Sequence, residues 1–409
     1  MHSGNVGSRA EPLFQAALST GLAVLGFFIL FSTAGTIAAL VLLLLLCLAS
    51  AKRIARLQPW REPVLALGLA LMAWITLRIF VGEGPGSAAA SAWGRYRELL
   101  MVPLLWGLLR IARHPSFFVG GLLAGAMVLA ALHWLTPFST WAAVFVDRRS
   151  ISAGFGLAVC AFLLFEHARL VGGRWRLASL AGSAFLVCTV LFMGHARTGH
   201  LMVLLLGLCA AWRAAPRHAR VGAMVLVVVA GMLLGALSQP VRTRMAETVA
   251  ALDSSRPLEP DNFSTRARFE FLRNGYGVAM QHGLLGAGWV GYEAAYRQVA
   301  AARATSHGSV PGAGSENPHN EYLLQLGAGG IPALLLFLCW LAAPLWRAVR
   351  RQAAPGPWAP TAACVSIAFA VGCVFNSLLL DFVEGHVYCA LLAWLLADDA
   401  RAFEHQLRT

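Results

Sequence analysis

Charge is scarce in this 409-residue chain: Asp, Glu, Lys and Arg make up 12% of it and hydrophobic residues 58%. Soluble domains carry roughly 25% charge and 45–50% apolar residues, so a water-soluble globule is excluded and the chain reads as a membrane protein. CxxC pairs are missing as well. The cysteines Cys47, Cys160, Cys188, Cys209, Cys339, Cys364, Cys373 and Cys389 all lie in or beside apolar runs, and the long polar stretch has none. This argues against a disulfide framework or a zinc site and leaves small buried hydrophobes. A DxD pair for a divalent ion on a nucleotide sugar is absent, and the acids Glu247, Asp253, Glu259, Asp261, Glu270, Glu293 and Glu316 stand apart in sequence. No metal is therefore expected, and phosphate charge falls to arginine. The excess of 32 Lys+Arg over 19 Asp+Glu is scattered in short clusters, so it forms no basic tract for nucleic acid.

What is abundant is apolar sequence in runs of membrane-spanning length. A bilayer core needs about 20 mostly apolar residues per helix. On that rule, spans are expected near 13–31, 34–50, 64–80, 98–112, 117–136, 151–167, 177–194, 200–213, 220–238, 322–345, 359–376 and 386–397. The fourth, eighth and twelfth are the shortest on charge-free sequence. The first is read as a span, since no small-residue cleavage site precedes a soluble body.

Basic residues sort between the two sets of ends. One set holds 18: Arg9; Lys52, Arg53, Arg56 and Arg61; Arg110 and Arg113; Arg169, Arg174 and Arg176; Arg213, Arg217 and Arg220; Arg347, Arg350 and Arg351; Arg401 and Arg408. The opposite short loops hold 6: Arg78, Arg95, Arg97, Arg148, Arg149 and Arg197. A threefold bias predicts that both termini are cytoplasmic. The chain then divides into spans one to nine (1–238), an outer, periplasmic loop subdomain (239–320), and spans ten to twelve with a cytoplasmic C-terminus (321–409). The loop is expected to hold short amphipathic helices lying on the membrane, one of them over residues 264–281. Phe269, Leu272, Tyr276 and Ala279 would form its apolar face, Arg266, Glu270 and Arg273 another, and Ser264 its cap.

Four groups of residues could carry chemistry. Gly194-His195-Ala196-Arg197-Thr198-Gly199-His200 puts an arginine at the hydrocarbon edge, which is costly unless it is paired or faces a wet cavity. A guanidinium suits bidentate phosphate binding, and headgroup snorkelling is the plainer use. Arg266, Arg268 and Arg273 on the loop helix would complete a pyrophosphate clamp or contact headgroups. The glycines of His282-Gly283-Leu284-Leu285-Gly286-Ala287-Gly288 allow a tight turn and close backbone approach. In Pro318-His319-Asn320-Glu321-Tyr322, histidine suits proton transfer, with Glu316 and Glu321 near in sequence to orient it and Asn320 as a neutral donor, while a helix-start residue is the plainer alternative. Asn376-Ser377 with Asp381, Glu384, Gly385 and His386 forms a polar loop between the last two spans, equally readable as structural.

These motifs, in this order, resemble the O-antigen ligase/polymerase family of bacterial inner membranes over roughly residues 190–390. The resemblance rests on Ala196-Arg197-Thr198-Gly199, on Arg268-Phe269-Glu270-Phe271-Leu272-Arg273-Asn274 with His282-Gly283 and Gly286-Ala287-Gly288, and on His319-Asn320 with Gly327, Gly329 and Gly330. Leu272 and Ala333 depart from the pattern, where tryptophan and glycine are usual. The resemblance implies an all-α, GT-C-like glycosyltransferase of about twelve spans without cofactor. It would move O-antigen glycan from undecaprenyl pyrophosphate to lipid A-core oligosaccharide on the periplasmic face of the inner membrane, with inversion and without metal. In that scheme His319 is the general base, Arg197 and Arg268 act on the pyrophosphate with Arg266 and Arg273, and Asn320, Glu321, His195, His200, Asp381, Glu384 and His386 support them. An O-antigen polymerase or a protein O-oligosaccharyltransferase would use the same donor. A transporter would instead place its ionisable groups at the bilayer midplane.

Overall fold

The computed structural model describes residues 6–82, 86–147, 150–252, 260–307, 317–350 and 358–408, and among these it is helical without a strand. In chain order the helices are α1 (Val6–Phe28), α2 (Thr33–Ala49), α3 (Ala51–Arg56), α4 (Pro63–Gly82), α5 (Ser87–Gly94), α6 (Glu98–Ile111), α7 (Ser116–Leu135), α8 (Thr140–Asp147) and α9 (Ser150–Leu170). There follow α10 (Gly173–Phe192), α11 (Arg197–Ala214), α12 (Arg220–Leu237), α13 (Gln239–Leu252), α14 (Pro260–His282), α15 (Tyr292–His307), α16 (Glu321–Arg350), α17 (Ala359–Phe375) and α18 (Phe382–Arg408).

Each of the twelve expected spans falls on a helix. Among the described residues, seven helices are long and apolar enough to cross a membrane: α1, α4, α7, α9, α10, α12 and α16. The bent pair of α2 with its continuation, turned by 71°, makes an eighth, and α17 is a shorter apolar helix. The rest have visible reasons for falling short. α6 has 14 residues, α11 begins on Arg197 and carries Arg213 in its last turn, and α18 contains Glu384, Asp398 and Asp399.

Close approach of helices relies on small residues, as expected where apolar burial alone cannot drive association. A side chain at Gly121 or Gly125 of α7 would collide with the α1 backbone at Ala23 or Phe27. One at Gly154 of α9 would lie 2.8 Å from Gly199 of α11, so the glycine after Arg197 is what lets these helices cross. All eight cysteines are free; Cys188 and Cys339 are exposed on the bundle's flank, not buried as expected.

The charged loops sort to two ends. At one end Arg53 pairs with Glu11, Gln15 bonds the backbone at Ile111 and Arg113, Arg347 bridges Glu62 and Asp399, and Arg169 and Arg213 share Glu166. These contacts tie together the junctions that hold most of the basic residues. At the other end lie α13, α14, α15, His319 and the 376–381 turn.

In the stretch 239–320, helix α14 includes the expected 264–281 segment but starts at Pro260, so Ser264 lies inside the helix and not at its start. Of its expected apolar face, Phe269 and Tyr276 are exposed and Ala279 is buried, and Ala267, Asn274 and Val278 are buried with it. Gly275 and Gly277 let Pro318 and Val299 approach so closely that a side chain at either glycine would clash. Helices α13 and α15 join α14 as the short helices expected in this loop, with bounds that the sequence reading does not give. Arg148, Arg149, Asp253, Glu259 and Glu316 lie outside the described residues.

The glycine-rich turn after α14 docks into a break in α16. Ala287 N and Gly288 N donate to the carbonyls of Gly327 and Ala328 at 2.7 and 2.9 Å, and Ile331 N donates to Gly283 O at 2.9 Å. Gly330 (φ +74°) interrupts the helix there, and Gly286 (φ +79°) faces the Ala328 carbonyl. No L side chain fits either conformation without strain. Trp74 Nε1 caps the Gly329 carbonyl at 2.8 Å, and Arg78 bonds Gly286 O at 3.2 Å, which joins the loop to α4.

Candidate active site

His319 sits where the chain leaves the loop and enters α16. Its backbone is left-handed (φ 48°), uncommon for a residue other than glycine and held here by side-chain bonds. Asn317 Oδ1 accepts from His319 N at 2.8 Å and from Ser377 Oγ at 2.7 Å. Asn320 accepts from Leu323 N at 2.9 Å, capping α16, and donates to Val374 O at 2.9 Å. Glu321 is fully buried; it accepts from Gln325 and from the backbone of Leu379 and Leu380 at 2.8, 3.1 and 3.3 Å. Three consecutive residues thus clamp the start of α16 to the turn between α17 and α18.

That turn supplies the partner of the imidazole. Asn376 Nδ2 donates to Asp381 Oδ2 at 2.7 Å, which turns Asn376 Oδ1 toward His319 Nδ1 at 2.8 Å. With the amide oriented by the carboxylate, Nδ1 must carry the proton and donate, and Nε2 is left with its lone pair. Burial holds the His319 pKa below its ordinary value of 6.5; the bond to Asn376 acts against this and the Arg268 charge adds to it. Burial raises the Asp381 carboxyl to about 6, with the Asn376 bond pulling it back. Phe271 of α14 covers the imidazole with ring centroids 5.1 Å apart.

Arg268 stands by this histidine, and two arginines from two other helices stand by Arg268. Arg197 opens α11 and donates to Glu247 at 3.0 Å. Arg244 of α13 donates to the same carboxylate oxygen at 2.8 Å and to His195 O at 2.8 Å, fixing the turn before α11. Arg268 of α14 is half-buried, makes no hydrogen bond or ion pair among the described residues, and stands close enough to Arg197 and Arg244 that their charges add to burial in lowering its pKa. It stays charged, as guanidinium does in proteins. The Nε of Arg197 is buried without a partner. Two arginines on one carboxylate, with a third cation beside them and donors unused, form a site ready for a multiply charged anion.

Not every expected residue joins this group. Of the arginines two apart on α14, Arg268 turns toward Arg197 and His319. Arg266 is half-buried and engaged in contacts of its own, and Arg273 sits in an exposed pair with Glu270, at 2.8 Å. His195 contributes its carbonyl. His200 lines the groove between α9 and α12, with Nε2 buried and unpartnered. Glu384 is buried and takes a hydrogen bond from Ser152. His386 is buried, bonded to Phe382 O at 2.6 Å and stacked on the Phe382 ring. The expectation that Glu321 orients His319 fails, because its carboxylate is consumed by the 379–380 backbone; Asn376 takes that place. The acids Glu247 and Glu270, apart in sequence, are each bound by two arginines. Arg244 was missed, although its spacing of three from Glu247 on a helix was a usable signal. Among the described residues, no group of His, Cys, Asp and Glu converges as metal ligands would.

The model of the family described as O-antigen ligase matches residues 182–338. The match runs from α10 into α16 and contains Arg197, Arg244, Arg268, His319 and the glycine turn that docks α14 onto α16. No curated protein matches the chain. Over residues 182–338 the chain is similar to the O-antigen ligase family.

Proposed function

We propose that the protein is an O-antigen ligase that moves a glycan from undecaprenyl pyrophosphate to a sugar hydroxyl of lipid A-core oligosaccharide. The observation that carries this reading is the meeting of Arg197 and Arg244 with Arg268, which stands by a histidine whose Nδ1 is engaged and whose Nε2 is basic. In the reaction, Nε2 takes the proton of the acceptor hydroxyl as its oxygen attacks the anomeric carbon. The bond from that carbon to the pyrophosphate oxygen breaks, and the carrier leaves as the pyrophosphate anion. Attack opposite the leaving group inverts the anomeric centre. Negative charge grows on the pyrophosphate in the transition state, where preorganised guanidinium donors act most strongly.

Two further features support it. An apolar groove of about 620 Å³ runs along α9 to α12, with Phe165 and Ala210 toward one end and His200 and Arg242 toward the arginine group. It suits the isoprenoid tail of the carrier. The basic residues gathered at the opposite end favour the cytoplasmic side for that end, which supports reading His319 and the 239–320 loop subdomain as periplasmic in a bacterial inner-membrane protein.

The test is transfer by purified protein in detergent, given undecaprenyl-pyrophosphate glycan and lipid A-core, with chelator present. A glycan-bearing lipid A-core band supports a ligase. A lengthened carrier-linked glycan with no such band makes the protein a polymerase using the same arginine group.

A further inference from the structure

A second basic cavity lies at the end of the bundle opposite His319. It holds about 570 Å³ between α11, α12, α16 and α17, and its wall contains Arg169, Arg213, Arg220 and Trp212 together with Met224 and Ile367. Its charges are unequal. Glu166 is the carboxylate nearest the arginines, and it is fully used: Arg169 donates to both of its oxygens at 3.0 Å, and Arg213 donates from Nε and Nη2 at 3.0 and 2.6 Å. Arg220 has no share in it. Its guanidinium lies over the Trp212 ring, 4.8 Å from the centroid, with Nε buried and unpartnered. A buried guanidinium donor without an acceptor is costly, and a flat cation held by an indole is oriented for a bidentate acceptor.

The opposite wall is apolar and reachable from the bilayer. Pro360 at the first turn of α17, with Ala363 and Ile367 a turn and two turns on, continues the cavity along the helix, and Met224 faces it from α12. Helix α12 buries only Gly235, so the cavity's flank opens toward lipid and not toward the protein interior. An anionic group at one end and hydrocarbon along the rest match a phospholipid standing with its headgroup at the interface.

We propose that this cavity binds one anionic phospholipid, its phosphodiester between Arg220 and Arg213 and an acyl chain along Met224 and Ile367. The site is independent of the catalytic reading, yet joined to it by α11. That helix carries Arg213 at one end and Arg197 at the other, so a lipid that fixes the first end steadies the second.

The experiment measures thermal unfolding of the full-length protein in detergent with added phosphatidylglycerol, phosphatidylethanolamine or inorganic phosphate. Phosphatidylglycerol should raise the wild-type Tm by a few degrees and the other two should not. Arg220→Ala and the cavity-filling Met224→Trp should each lose that rise, and Arg220→Lys should keep part of it. The comparison with and without lipid is made within each variant, so a lower starting Tm does not obscure it; should Arg220→Ala not fold, Met224→Trp carries the test. An equal rise with phosphatidylethanolamine would overturn charge recognition. An equal rise with inorganic phosphate would make the cavity a site for free phosphate. A full rise in either blocking variant would place the lipid elsewhere.

Discussion

His319 Nδ1 lies 2.8 Å from Asn376 Oδ1, and Asn376 in turn donates to Asp381 at 2.7 Å. The relay fixes the imidazole in the tautomer whose free nitrogen is Nε2, and it does so across 57 residues of sequence.

This arrangement sets a pH dependence. The neutral imidazole is the working form and its pKa is held below 6.5, so kcat/KM should stay on its plateau as pH falls to that value and drop only below it. Asn376→Asp places an anion against Nδ1–H, favours the imidazolium and should move the acid limb to higher pH. Asn376→Ala should lower kcat at every pH without moving KM. A pH–rate profile of the three proteins checks both statements.

Arg197 and Arg268 are expected to act on the leaving pyrophosphate. Removing one preorganised donor to a developing anion costs about 10²–10³ in kcat. Arg197→Ala and Arg268→Ala should fall in that range, and Arg268→Lys should recover only part, since an ammonium lacks the planar pair of donors. Arg244→Ala should lose less than either, because Arg244 also serves to hold Glu247 and the His195 carbonyl. Steady-state transfer rates of the four variants test the ranking.

The apolar groove predicts a dependence on carrier length. At Gly231 a Cβ would meet only Leu204, at 3.8 Å, so Gly231→Leu fills the groove without disturbing its wall. KM for the full-length carrier should rise in this variant, while KM for a donor with a two- or three-isoprene tail should not change. An equal rise for both donors would place the tail outside the groove.

Gly330 should tolerate nothing larger. Its φ of +74° and its contact with the Leu284 carbonyl make Gly330→Ala strained in conformation and in space. A cost of about 1–3 kcal/mol is expected for a non-glycine residue in that region. Lower Tm and lower yield, with loss of the α14–α16 docking seen as faster proteolysis of the loop, are the readouts.

The sequence made the membrane helices legible because a continuous apolar run needs no partner to be recognised. The weakest of the expected spans are the ones the structure explains by short length or by charge. Helices α13 and α15 were harder to foresee: Arg, Glu, Thr and Ala alternate there without a strong apolar stripe, and packing against α14 holds them. Arg197, Arg268 and His319 stood out because charge or imidazole at a membrane edge is costly. What could not be read was their company. Asn376 reaches His319 from another pair of spans, Arg244 comes from a loop helix whose bounds the sequence does not show, and only the fold decides that Arg268, and not Arg266, turns toward the histidine.

The most direct test of the account is single-turnover transfer by His319→Ala, measured beside its binding of the carrier-linked donor. The expected result is a rate about 10²–10⁴-fold below wild type with donor affinity unchanged, since the arginine group is left intact. Transfer at the wild-type rate would contradict the assignment of His319 as the base.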